Sequence, residues 1–179
     1  MADLGELVCL YERNGLSGHD WAMAGYDVWC YDISHPPGPP RIEQCGAGRK
    51  IFHHWDGFSD EQTEALIARH KGRAVFVIGF PPCTDLAVSG AKHFIDKWLA
   101  NPKFQDEAMH LVHRVPAVAH QLGVPYMLET PVSAISGLWT TAEYSFHPWE
   151  YGGYLPEDDV HPIFPQYYPP RDAYPKKTC

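Results

Sequence analysis

Two residues of the sequence have the types and positions needed to act on a flat, electron-poor ring. Cys83 follows two prolines at the end of the apolar run 74–80, and Glu129 closes the segment PYMLE. The thiolate would add to the ring, while the acid would hold and protonate a ring nitrogen. The alternative is a buried structural cysteine with a strand-end glutamate. We favour the functional interpretation because both residues interrupt a strand pattern at the end where ligands bind.

The segments that must position this pair alternate between predicted strands and predicted helices. Apolar runs predict five strands, at residues 6–11, 26–33, 50–55, 74–80 and 125–129. Three helices are expected between them. These are HDWAMA closed by Gly25, a helix that Ser59 and Gln62 cap and Gly72 follows, and a helix from Asn101 and Pro102 to Gly123. Pro116 should kink or divide the third helix.

This alternation predicts an α/β fold with a doubly wound, mostly parallel sheet. We place a catalytic core at residues 1–139 and an irregular tail, rich in proline and aromatic residues, at 140–179, packed on the core or extending it. The segments HPPGPP and QCGAG contain too much proline and glycine for regular structure. The sequence ends without a closing strand, which suggests a truncated or minimal domain.

The ends of the first three predicted strands outline a nucleoside pocket. Asn14, Gly15, Ser17 and Gly18 form a loop of small residues that lets a ligand approach the backbone closely. Asp32 ends the second strand and is placed to accept hydrogen bonds from ribose hydroxyls. Asp56 follows the third strand and could meet an adenine amino group. Each residue taken alone has a plain structural explanation, since turns need glycine and surface aspartates are common.

Composition restricts the classes of protein and partner. The chain has 179 residues, a formal net charge of −8 and five scattered cysteines, which argue against both a disulfide framework and a CxxC zinc module. No apolar run predicts a membrane span and the N-terminus has no signal-peptide pattern, so we expect a cytoplasmic protein. Two basic groups would permit nucleic-acid binding: Lys92, Lys97 and Lys103, and then Arg171, Lys176 and Lys177.

Three motifs resemble those of the DNA (cytosine-5) methyltransferase family. GFPPC at 79–83 looks like its catalytic Pro-Cys motif, and LETP at 128–131 resembles its Glu-Asn-Val motif, with Thr and Pro replacing Asn and Val. NGLSG followed by AGYDVWCYDI is similar to its S-adenosylmethionine loop and the next strand. The resemblance covers residues 6–137 and implies a Rossmann-like S-adenosylmethionine-dependent methyltransferase fold.

The resemblance also implies roles for individual residues. Cys83 would attack carbon 6 of cytosine, so that carbon 5 takes the methyl group of S-adenosylmethionine, and Glu129 would hydrogen-bond N3 and the exocyclic amine. In duplex DNA the base must first leave the stack. We assign cofactor contacts and then substrate contacts as follows: Asn14, Gly15, Ser17, Gly18, Asp32, Asp56, Phe80 and Pro81 for the cofactor, and Pro82, Thr130, Pro131, Ser89 and Lys92 for the substrate. No metal is assigned to the site.

Other functions remain open at this point. The family's Gln-x-Arg-x-Arg motif has no clear counterpart, and its large target-recognition domain is missing. The missing recognition domain and the negative charge favour a free cytosine nucleotide as the alternative substrate. A zinc-stabilised binding module is a further alternative, with candidate ligands in the tail and in one histidine pair: His147, Glu157, Asp158, His161, Cys179, His53 and His54. A module that binds cofactor or DNA without turnover is the last.

Overall fold

A computed structural model describes residues 4–161 and 165–179 of the protein. The chain divides into two compact units. The sheet unit comprises Met1–Pro82 and Ala100–Glu129, and the second unit comprises Cys83–Leu99 and Thr130–Cys179. The second unit therefore contains the predicted tail together with two segments that precede it.

The sheet unit is built on six strands, five of which are parallel. They are β1 (Glu6–Leu10), β2 (Asp27–Asp32), β3 (Arg41–Cys45), β4 (Gly48–His54), β5 (Ala74–Gly79) and β6 (Tyr126–Leu128). Their order across the sheet is β3-β4-β2-β1-β5-β6, and only the β3–β4 pairing is antiparallel. The predicted α/β fold with a mostly parallel sheet is confirmed.

Strand β3 was not expected, because the segment around it was predicted to lack regular structure. The HPPGPP part of that prediction holds, but Gln44 and Cys45 of QCGAG end β3 and Gly48 begins β4. Cys45 pairs with Gly48 across a two-residue turn, which makes β3 and β4 a hairpin. The strand was missed because it lies at an edge of the sheet, where Ile42 is exposed and no apolar run marks it.

Successive side chains of a strand point to opposite faces of the sheet. Both faces of the central strands carry apolar side chains, and helices cover both. Leu7 and Cys9 of β1 pack in one cluster with Ala22 of α1 (His19–Ala24). Val8 and Leu10 pack in the other, with residues of α2 (Asp60–His70) and α4 (Phe104–Leu122). The sheet is therefore wound on both sides, as predicted.

The helix signals were largely correct, with one error at the start of α4. Gly25 and Gly123 end α1 and α4 in left-handed conformation, and the Ser59 side chain accepts a hydrogen bond from the Gln62 N–H at the start of α2. Asn101, however, is not the cap of α4. Its side chain accepts from the Lys103 N–H and closes a turn before the helix begins at Phe104.

Pro116 does not divide α4, which is continuous through it. Proline removes one backbone hydrogen bond from the helix interior. Val112, Val115 and Val118 on either side of it are fully buried, so packing holds both halves of the helix in place.

The second unit has little regular structure. It contains a 3₁₀ helix (Val88–His93), α3 (Phe94–Ala100) and α5 (Ile135–Leu138), and its C-terminal part has only short 3₁₀ turns among the described residues. Isolated bridges pair Thr178 with both Pro131 and Phe146. No helix among the described residues is long and apolar enough to cross a membrane.

Candidate functional site

The carboxyl edge of the sheet is where the predicted cofactor residues lie. The chain runs from β1 outward through β2 to β4 and then returns to the other side of β1 to form β5. The strand order therefore reverses between β1 and β5, and ligands of open α/β sheets bind at such a point. The Phe80 N–H donates to the Leu10 carbonyl (3.1 Å), which keeps the two strand ends together beyond the sheet.

The loop after β1 is organised by a residue that sequence reasoning missed. The buried carboxylate of Glu12 accepts hydrogen bonds from the N–H groups of Asn14 and Gly15, both at 2.9 Å, and from the Ser17 hydroxyl. The ring of His35 contacts the Glu12 carbonyl at 3.0 Å. The available signal was an acidic residue directly after the strand and three positions before a glycine.

The two predicted glycines of this loop are required by packing inside the protein. Gly15 has a φ of +70°, which favours glycine, and a Cβ there would lie 2.9 Å from the Phe52 ring. A Cβ on Gly18 would overlap a methyl group of Val28, where α1 begins against β2. The glycines thus let the loop lie close to the sheet, whether or not a ligand is bound.

Asp32 and Asp56 lie at the ends of the two strands beyond β1, as predicted. One carboxylate oxygen of Asp32 accepts from the Ser34 N–H (2.8 Å), and one of Asp56 accepts from the Phe58 N–H (2.9 Å). Both side chains are half-buried. Each carboxylate is held in place by its own turn and has a second oxygen with which it could accept from a ligand.

The segments leading to the two predicted catalytic residues leave neighbouring strands. Gly79 of β5 is in register with Leu128 of β6, and the Glu129 N–H donates to the Gly79 carbonyl (3.0 Å). Cys83 follows Gly79 by four residues, through Phe80, Pro81 and Pro82. Of these, Phe80 packs on the cluster that contains α1 residues, and Pro81 is buried while Pro82 is exposed. The expected pairing of these two strands is confirmed.

Cys83 itself begins the second unit. The residue is half-buried, and its carbonyl accepts from the N–H groups of Leu86 (3.0 Å) and Ala87 (2.8 Å), which makes a tight turn after the prolines. Ser89 and Lys92 follow in the exposed 3₁₀ helix. The backbone of Thr130 exchanges hydrogen bonds with Cys179, and Pro131 bridges Thr178.

The candidate zinc ligands do not assemble. Across residues 4–161 and 165–179, no three His, Cys, Asp or Glu side chains form a group that could hold a metal ion. His147 has a buried Nδ1 without a hydrogen-bond partner and stacks on Trp149. Its environment within the second unit is that of a packed aromatic ring.

A second buried polar group lies on the α2 face of the sheet. The Tyr31 hydroxyl donates to Nε2 of His70 (2.7 Å), and Nδ1–H of His70 donates to Glu6 (2.6 Å), which also pairs with Arg73 (3.0 Å). Burial, with Arg69 and Arg73 nearby, lowers the pKa of His70 to about 3. The Glu6 carboxylate alone would favour the imidazolium. Arg73 neutralises it, however, and Nε2 must stay unprotonated to accept from Tyr31, so His70 is a neutral ring.

Neither a protein-family model, nor a curated protein, nor a solved structure matches the chain significantly. Function must therefore be argued from the residues themselves.

Proposed function

We propose that the protein transfers a methyl group from S-adenosylmethionine to carbon 5 of cytosine in DNA, through a covalent adduct on Cys83. One observation carries the proposal. The strands that lead to Cys83 and Glu129 are paired neighbours, β5 and β6, and β5 borders β1 at the point where the strand order reverses. A thiol and a carboxyl group that follow adjacent strand ends are the two groups that this chemistry requires.

The residues at the carboxyl edge fit the cofactor by their hydrogen-bonding character. Ribose hydroxyls and the adenine amino group are donors, and Asp32 and Asp56 offer half-buried carboxylates that are already oriented by their turns. The N–H groups of Asn14, Gly15 and Ser17 already donate to Glu12. The loop from Asn14 to Gly18 would therefore contribute its shape to cofactor binding, and not hydrogen bonds from these three groups. S-adenosylmethionine, when bound, supplies an electrophilic methyl group.

Cys83 would begin the reaction as a thiolate that bonds to carbon 6 of the ring and so makes carbon 5 nucleophilic. Glu129 would donate to N3 and accept from the exocyclic amine, which stabilises the charge that the addition places on the ring. Carbon 5 would take the methyl group, with S-adenosylhomocysteine as the leaving group. It would then lose its proton to solvent, and the bond between carbon 6 and the Cys83 sulfur would break to return the thiolate. Phe80, Pro81 and Pro82 would limit the movement of the segment before the thiol, since proline fixes its own φ.

Trapping the adduct tests this proposal. Release of Cys83 requires carbon 5 to lose a proton, and fluorine at that position cannot be lost in its place. DNA carrying 5-fluorocytosine should therefore remain covalently bound to the protein in the presence of S-adenosylmethionine. We expect a mass increase that survives denaturation, is absent in Cys83→Ser and is strongly reduced in Glu129→Gln. Cys179→Ser is the matched control, because Cys179 is the other half-buried cysteine. The proposal is wrong if S-adenosylmethionine binds but neither DNA nor nucleotide is trapped.

A free cytosine nucleotide is the second candidate substrate, and charge favours it. The protein carries a net charge of −8, and Lys97, from the predicted basic group, is already paired with Asp85 (2.6 Å). Phosphate contacts supply much of the affinity of proteins for DNA. Running duplex, single-stranded and mononucleotide 5-fluorocytosine substrates side by side decides the substrate. An adduct with the mononucleotide alone would replace DNA in the proposal.

A further inference from the structure

A half-open cavity of about 190 Å³ lies in the sheet unit, next to the predicted cofactor residues Asp32 and Asp56, whose chain neighbours Tyr31 and Trp55 line it. It lies between the proline-rich loop before β3, the ends of β2 and β4, and α2. None of the residues that we assign to the cofactor lines it. Pockets for drug-sized ligands measure roughly 300–1,000 Å³, so this one suits a single ring with a small substituent.

Two aromatic residues give the cavity a rigid apolar wall. Tyr31 and Trp55 are buried, and their ring centroids lie 6.5 Å apart at an interplanar angle of 75°. The Tyr31 hydroxyl donates to His70 and the Trp55 indole donates to Thr63 (3.3 Å). Because these polar atoms are already engaged, the two residues present mainly apolar ring surface to a ligand.

The polar atoms around the cavity favour an anionic ligand. Arg69 of α2 lines the cavity, with its guanidinium carbon 5.0 Å from the centroid of the Trp29 ring, and Gln62 supplies amide N–H donors because its Oε1 already accepts from the Asp56 N–H. His53 and His54 each use Nδ1–H to donate to a backbone carbonyl. No carboxylate is among the residues that line this cavity. A cavity lined by a cation and no acid favours a negatively charged ligand, even in a protein of net charge −8.

We propose that this cavity binds a small planar organic anion of the aromatic carboxylate class. The ring would lie against Tyr31 and Trp55, and the carboxylate would accept hydrogen bonds from Arg69 and Gln62. Arginine suits this role because its planar fork matches a carboxylate. The proposal does not depend on methyl transfer.

The experiment uses benzoate as the probe and benzamidine as its cationic counterpart of the same shape. Binding is followed by nuclear magnetic resonance, using the indole N–H signal of Trp55 in the ¹⁵N-labelled protein. We expect a benzoate Kd on the order of a millimolar, as suits so few atoms, and at least tenfold weaker binding of benzamidine. Equal affinities for the two probes would overturn the proposal.

Two variants and a competitor complete the test. Arg69→Gln should weaken benzoate binding about tenfold, whereas Lys71→Gln makes the same charge change at an exposed position outside the cavity and should leave it unchanged. Ala65→Phe should block binding by filling the cavity. S-adenosylhomocysteine should not displace benzoate. Displacement would assign the cavity to the cofactor site, and unchanged binding in both Arg69→Gln and Ala65→Phe would place benzoate elsewhere; either result refutes the proposal.

Discussion

One buried glutamate begins strand β1 and another lies two residues after the strand ends, and the two carboxylates are satisfied in different ways. Glu6 and Glu12 are equally buried, each 6% exposed. Glu6 accepts from the side chains of His70 and Arg73, which come from the end of α2 and the turn after it. Glu12 accepts from backbone N–H groups of its own loop and from the Ser17 hydroxyl.

The difference separates a residue that holds the sheet together from one that shapes a loop. Glu6 and His70 are 64 residues apart in the sequence, so their contact joins distant segments and forms only when the sheet unit folds. The partners of Glu12 lie within five residues of it, so its contacts fix a local conformation at the edge where we place the cofactor. Removing either carboxylate should therefore affect stability and ligand binding in different proportions.

The largest effect should follow Glu6→Ala. Removing one partner from a buried ion pair costs about 3–5 kcal/mol, and since Arg73 is half-exposed we expect a loss near the lower value, about 3 kcal/mol. Urea unfolding followed by circular dichroism measures this. Glu43→Ala removes a half-exposed glutamate from β3 that pairs with the exposed Arg41, and it should cost less than about 0.5 kcal/mol. Equal losses in the two variants would contradict the role given to Glu6.

The next effect concerns ligand affinity. Glu12→Ala leaves the loop N–H groups without their carboxylate, so we expect S-adenosylhomocysteine to bind about 30-fold more weakly, with a loss of only about 1 kcal/mol in unfolding free energy. Isothermal titration calorimetry gives the first quantity and urea unfolding the second. Glu6→Ala serves as the control, since its affinity at a temperature where it is folded should be unchanged. The reverse pattern would show that Glu12 is the structural residue.

The two glutamates also show what sequence can and cannot predict. Five of the six strands, α2 and the end of α4 were predicted because apolar runs, Ser59 and Gly123 act locally. The Glu6–His70 contact was not, because it depends on a β1–α2 juxtaposition that no short pattern encodes. Strand β3 was missed because it is held in the sheet by its pairing with β4 and has no apolar run of the kind that marks a buried strand.

For the candidate site, sequence located the strand ends but not the supporting contacts. Asp32 ends its strand as predicted, and Asp56 follows its strand as predicted. Glu129 was expected to end its strand and instead directly follows it. Glu12 was passed over because a charged residue in a polar loop is ordinarily exposed, and only burial shows that it organises Gly15 and Ser17. The sequence thus shows which residues lie at the carboxyl ends of strands, but it does not show which polar residues are buried.

A smaller effect should appear in the pH dependence of stability. The pKa of His70 falls from 6.5 to about 3 on folding, so the unfolded chain binds its proton first as the pH is lowered. The contribution of His70 to the free energy of unfolding is thus complete above pH 6.5 and is lost as the pH falls from there towards 3. Between pH 6 and pH 5 this amounts to about 1 kcal/mol. His70→Gln should remove that part of the slope in urea unfolding, and an unchanged slope would contradict a neutral His70.

The smallest effect should be on the reactivity of Cys9, which lies in β1 between the two glutamates. Cys9 is fully buried, and its hydrogen bond with Cys30 and its burial raise its pKa, so alkylation requires the sheet to open. If labelling follows the opening equilibrium, Glu6→Ala should speed it about 100-fold, whereas Glu12→Ala should speed it only about fivefold. Iodoacetamide labelling with peptide mass spectrometry measures each cysteine, and half-buried Cys83 should react rapidly in every variant. Equal acceleration of Cys9 by both substitutions would mean that Glu12 supports the sheet as much as Glu6 does, and the distinction between the two ends of β1 would not hold.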